Sequence, residues 1–112
     1  MLADFLKKTF DERVTQAKII GKSNKPHKFP NVISFANGRR LIIDPVANDP
    51  ASINARVVAN MDVRSINDPL LDQRIVYDDQ DKWLPSDLNL LQVGATVVPF
   101  SMAPEVIQRA AK

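Results

Sequence analysis

The chain has 112 residues, 45% hydrophobic and 25% charged, with a formal net charge of +2 and no cysteine. That length suits one domain around one core, and the composition is that of a globular chain rather than a disordered one. Without cysteine there are no disulfides, thiolate nucleophiles, zinc ribbons or iron–sulfur clusters; three isolated glycines cannot build a nucleotide phosphate loop, and no apolar run approaches the roughly 20 residues that span a bilayer.

In chain order, Leu2, Phe5, Leu6, Phe10, Val14 and Ala17 recur at spacings of three or four, one stripe of a helix. The pattern predicts an amphipathic helix over 1–21, stopped at Gly21, with Phe5, Leu6 and Phe10 anchoring it on a sheet or a partner chain. The stretch beginning "MLADFLKKTFDER" lacks the basic-then-apolar layout of a signal peptide, so a soluble intracellular protein, or part of an assembled particle, is expected. Residues 22–31, "KSNKPHKFPN", read as a basic, proline-containing loop. His27 within it reads as an exposed histidine with no role, since nothing nearby supplies the nucleophile and orienting acid of a triad.

Residues 32–103 read as a sheet region. "NVISFANGRRLIID" is a β-hairpin near 32–43, with Asn37-Gly38 favouring a two-residue type I′ turn. That turn pairs Val32 with Ile43, Ile33 with Ile42 and Ser34 with Leu41, so Ile33, Phe35 and Ile42 share one face. "DPVANDPASIN" reads as a stiff connection. "ARVVANMDVR" alternates, with Val57, Ala59, Met61 and Val63 on one side, and reads as a half-exposed strand. "QRIVYD" is a short strand, "LPSDLNLLQVG" a short helix near 86–93, and "ATVVPF" a last strand that Pro99 places at an edge. Residues 104–112 close as a helix, with Pro104 in its first turn and Arg109 and Lys112 toward its negative end. The expected fold is α+β: an N-terminal helix on a small, mainly antiparallel sheet of four or five short strands, with a short helix before the last strand and a C-terminal helix.

The charge is unevenly placed. Residues 1–40 hold nine Lys/Arg against three acids, and residues 41–112 hold six against ten. Between Ala17 and Arg40 there is no acid at all. Lys18, Lys22, Lys25, Lys28, Arg39 and Arg40 therefore stand out as a surface for nucleic acid or an acidic partner. No module signature for base-specific reading accompanies them. The densest acids, Asp78, Asp79 and Asp81, are the candidates for a metal, but the calcium-loop pattern fails for want of its turn glycine and closing glutamate, and the acid-x-lysine spacing of nucleases fails because residue 80 is Gln.

The pattern points to a non-enzymatic structural or assembly protein. A minor component of a bacteriophage or viral particle fits it, associating with itself or with other structural subunits through apolar surfaces. The alternative is a small non-specific nucleic-acid-binding protein using residues 18–40, and more distantly a metal-dependent nuclease. No cofactor, small-molecule substrate or membrane span is expected.

Overall fold

A computed structural model describes residues 2–111. Met1 and Lys112, which the sequence pattern placed in the terminal helices, lie outside the described residues. The fold is α+β, with a helix toward each end and a five-stranded mixed sheet. In order, the chain forms α1 (Leu2–Phe10), a 3-10 turn (Asp11–Arg13), β1 (Val14–Ile20), β2 (Pro26–Ser34), β3 (Arg40–Pro45), α2 (Pro50–Arg64), β4 (Leu71–Tyr77), α3 (Pro85–Gly94), β5 (Thr96–Pro99), a second 3-10 turn (Phe100–Met102) and α4 (Ala103–Ala110).

The sheet keeps the order β1-β2-β3-β4-β5. β1, β2 and β3 form an antiparallel meander; β3–β4 and β4–β5 are parallel, joined through α2 and α3. Parallel neighbours need such crossovers, and both faces of the sheet are then covered. On one face, Leu2, Leu6 and Phe10 of α1 and Ala103 and Ile107 of α4 close over Ile33, Leu41, Ile43, Val76 and Val98. On the other, α2 and α3 cover two clusters that meet the sheet at Phe29, Val32, Ile42 and Ile75. Among the described residues no helix is long and apolar enough to cross a membrane.

Four expectations are corrected. The first helix ends at Phe10. Asp11 turns into the left-handed region (φ 52°), and Val14 and Ala17, which fitted the helical stripe, lie in β1. The supposed loop 22–31 is mostly strand, and only residues 21–25 turn. Pro26 opens β2, and Pro30 with Asn31 forms a bulge, two residues opposite Gln16, where a missing N–H costs the ladder nothing.

The hairpin turn is longer than two residues. Phe35 N–H donates to the Arg39 carbonyl (2.9 Å) and Gly38 N–H to the Phe35 carbonyl (3.1 Å), and only Gly38 takes a positive φ (84°). Val32 therefore faces Ile42 and Ile33 faces Leu41. The one-residue slip exchanges faces: Leu41 and Ile43 join Ile33 under α1, while Ile42 joins Val32 under α2.

Finally, 55–64 is helix, not strand. Asp49 caps α2 by accepting from Ser52 N–H (2.9 Å) and Ser52 Oγ (2.9 Å), and Pro50 sits in the first turn. Its buried residues, Ile53, Val57, Asn60 and Val63, keep helical spacing, whereas Met61 of the alternating set is exposed.

Candidate nucleic-acid interface

The six basic candidates do not form one surface. Lys18, Lys22, Lys25 and Lys28 belong to the β1–β2 hairpin. Arg39 and Arg40 lie at the β2–β3 turn, at the opposite end of the nine-residue strand β2.

On the first hairpin, Lys18 and Lys28 are direct cross-strand partners. Side chains alternate along a strand. Ala17, Ile19 and Phe29 pack toward α2, so Lys18 and Lys28 share the opposite face, beyond the cover of α1. Ile20, 57% exposed, continues that face. None of the four lysines makes a side-chain hydrogen bond or ion pair among the described residues. Two like charges directly opposite each other are unfavourable in a sheet, and here no acid relieves them.

Arg39 is committed inside the fold. Its Nη2 donates to Asp72 Oδ2 (2.9 Å) and to the Ala110 carbonyl at the end of α4, and its guanidinium lies over Phe35 (5.4 Å to the ring centre). Arg40 is half-buried, with its backbone N–H on the Leu70 carbonyl.

The hairpin that carries the lysines is pinned by a carboxylate that sequence reasoning missed. Asp62 of α2 accepts from Ser23 N–H (2.9 Å) and Ser23 Oγ (2.6 Å), and lies 2.7 Å from His27 Nε2. Its backbone carbonyl accepts from Lys22 N–H (3.1 Å). A Cβ on Gly21 would overlap this carboxylate, so the approach depends on glycine there. The hydrogen bonds from the Ser23 hydroxyl, His27 and the Ser23 backbone hold the Asp62 carboxyl down at about 2. An ionised carboxylate only accepts, so His27 donates through Nε2.

His27 is therefore no idle exposed side chain: it sits in β2, 10% exposed, as a strut. Ser23, His27 and Asp62 resemble a catalytic set by type only. Serine and histidine address the same carboxylate oxygen, and the nucleophile-to-base hydrogen bond that a triad needs is missing.

A second polar group lies beneath the hairpin. Asp44 of β3 is fully buried and takes both oxygens to Arg56 Nη1 (3.0 and 3.1 Å), with Asn60 Nδ2 on Oδ2 (2.8 Å). Burial raises the Asp44 carboxyl, against the lowering effect of Arg56 and Asn60. Gln73 of β4 donates to the Asn60 carbonyl (2.9 Å) and to Asn60 Oδ1 (3.1 Å). Arg56 also lies over Phe29 (5.7 Å to the ring centre) and reaches the Lys28 carbonyl (3.4 Å). The network ties α2 to β2, β3 and β4, and every buried side-chain polar atom among the described residues has a partner.

The remaining candidates are structural in this arrangement. Leu6 and Phe10 are buried in the chain's own core and Phe5 packs partly against it, so they anchor α1 to its own sheet. The acids of 78–81 brace loops. Asp78 Oδ1 accepts from Gln80 N–H (3.0 Å), Asp79 from Ser101 N–H (2.9 Å) and Ser101 Oγ, and Asp81 from Lys82 N–H (2.8 Å) and Asn48 Nδ2 (3.2 Å). The Ser101 bonds lower the Asp79 carboxyl. Among the described residues no group of three or more histidines and carboxylates gathers as metal ligands.

No family model matches this chain, and no curated protein or solved structure is significantly similar to it.

Proposed function

We propose that the protein is a non-enzymatic nucleic-acid-binding protein that contacts the phosphate backbone through its β1–β2 hairpin. The observation that carries this reading is the cross-strand pair Lys18–Lys28, two unneutralised charges face to face on an uncovered part of the sheet. A bound phosphate relieves that repulsion and releases counterions in doing so. Lys22 and Lys25 extend the charge to the turn. The Asp62 clamp supports the reading further, because a pinned hairpin loses little freedom on binding. Backbone contacts of this kind position a protein without reading sequence.

The test is a titration onto labelled single- and double-stranded DNA and RNA at several salt concentrations. Affinity falls steeply with salt, and Lys18→Ala/Lys28→Ala lowers the logarithmic salt slope by about 1 to 2. A slope unchanged in the double variant rejects the hairpin as the contact.

Self-association is the second reading. Of the residues that first suggested it, Leu6 and Phe10 are internal and Phe5 is partly buried against the same core. What favours it now is the helical layer on the other face, where Val58 and Met61 of α2 and Leu90 and Val93 of α3 keep apolar side chains exposed. In that case the protein acts as a homo-oligomer or a subunit of a larger particle. A light-scattering mass of one chain across a wide concentration range excludes the homo-oligomer.

A further inference from the structure

We propose that the cleft between α2 and the start of β2, lined by Lys25, His27, Asn54 and Arg56, is a pocket for a single phosphodiester group. It lies on the side of the hairpin facing α2, opposite Lys18 and Lys28. It rests on the nucleic-acid reading above and specifies where one phosphate of the strand is seated.

The donors are held in place by the fold and are only partly used by it. Arg56 serves Asp44 and the Lys28 carbonyl through Nη1 alone. Its Nη2 and Nε make no hydrogen bond among the described residues, and stacking on Phe29 fixes the guanidinium plane. A planar fork with a free edge suits bidentate contact to phosphate oxygens. Lys25 has no side-chain partner among the described residues, yet its backbone is tied twice, by its carbonyl accepting from Gly21 N–H (3.0 Å) and by its N–H donating to Ser23 Oγ (3.3 Å). Asn54, in the first half of α2, adds an amide with no side-chain hydrogen bond among the described residues. His27 is oriented by Asp62.

The two carboxylates nearby are both engaged within the fold. Asp44 is fully buried against Arg56 and Asn60, and Asp62 accepts from Ser23 N–H, Ser23 Oγ and His27. Arginine, lysine and an amide around one concavity match the charge and geometry of a phosphodiester. The exposed apolar side chain of Val58 at the rim leaves room for the attached sugar.

The experiment is a pair of NMR titrations of the 15N-labelled protein, one with inorganic phosphate and one with a short oligothymidylate, against chloride at matched ionic strength. Phosphate is expected to move the amides of Lys25, His27, Asn54 and Arg56 saturably. Asn54→Asp places a negative charge in the cleft without touching Asp44 or Asp62, and is expected to weaken oligothymidylate binding about tenfold. Lys25→Ala weakens it less, and serves if the first variant fails to fold. Arg56 itself is left alone because its removal strands Asp44. Unchanged oligothymidylate affinity in the folded variants overturns the cleft and leaves the hairpin reading standing. Saturable phosphate binding without oligothymidylate binding overturns the phosphodiester assignment in favour of a small-anion site. Neither ligand binding overturns both readings.

Discussion

The two hairpins of this chain carry charge of the same sign and use it in opposite ways. The β2–β3 turn turns Arg39 inward, where it ties Asp72, the end of α4 and the Phe35 ring together. The β1–β2 turn is tied down by Ser23, backbone amides and a strut from His27, and its lysines face outward with no side-chain partner among the described residues. A basic residue already paired inside the fold offers a ligand less than an unpaired one, so a count of basic residues overstates a binding surface. Of the six candidates, the four on the pinned hairpin remain available and Arg39 does not.

Three changes break or sharpen this contrast. The largest effect is on the ground beneath the first hairpin. Asp44→Ala leaves Arg56 and Asn60 without their buried acceptor and is expected to cost about 3–5 kcal/mol in a urea unfolding titration. A loss under 1 kcal/mol would mean that Arg56 escapes to solvent and that α2 does not depend on the network for its seat.

A direct exchange between the hairpins comes next. Arg39→Ala is expected to lower stability by about 1–2 kcal/mol while leaving the salt slope of nucleic-acid binding unchanged. Lys28→Glu does the reverse. It converts the Lys18 repulsion into an opposite-charge pair, raises stability by about 0.2–1 kcal/mol and weakens binding. If Arg39→Ala lowers affinity as much as Lys28→Glu does, the division of labour between the hairpins is wrong.

The smallest effect concerns pH. The Asp62 carboxyl is lowered from 3.8 to about 2 in the fold, so its contribution is fully present above about 4 and is lost as pH falls toward 2. Wild type is therefore expected to exceed Asp62→Asn by a margin that shrinks between about pH 4 and pH 2. A margin that persists unchanged at pH 2 would show that shape, rather than ionisation, holds the turn.

Much of the fold was legible in the residues. The α+β class, the short helix near 86–93, the last strand and the C-terminal helix follow from local pattern, and β5 is indeed an edge. What failed has specific causes. Val14 and Ala17, three residues apart, fit a helical period yet pack on opposite faces of the sheet, and the left-handed turn at Asp11 ends the helix before them. The run Val57, Ala59, Met61, Val63 alternates, but Asp49, Pro50 and Ser52 form a helix start that two nearby prolines disguised as a loop. Asn37-Gly38 announces a hairpin without fixing how many residues turn, and one extra residue exchanged the faces of β3. Of the site, the lysines were visible because no acid lies near them in sequence. The clamp was not, because Asp62 stands 39 residues from Ser23. Reading 55–64 with a helical period would have put Asn60 on the buried stripe and signalled that polar partners were waiting there.

Because the strands lie side by side in the order in which they occur in the chain, each can dock on its predecessor during synthesis without waiting for a distant segment. The layer of α2 and α3 is complete once β5 has formed. The opposite layer is not: Leu6, Phe10, Leu41 and Val98 share their cluster with Ala103 and Ile107, so α1 stays half-covered until residues 103–110 emerge. The nascent chain thus carries its basic hairpin early and closes its greasiest face last, which makes the arrival of α4 the step at which a sticky intermediate becomes a finished molecule.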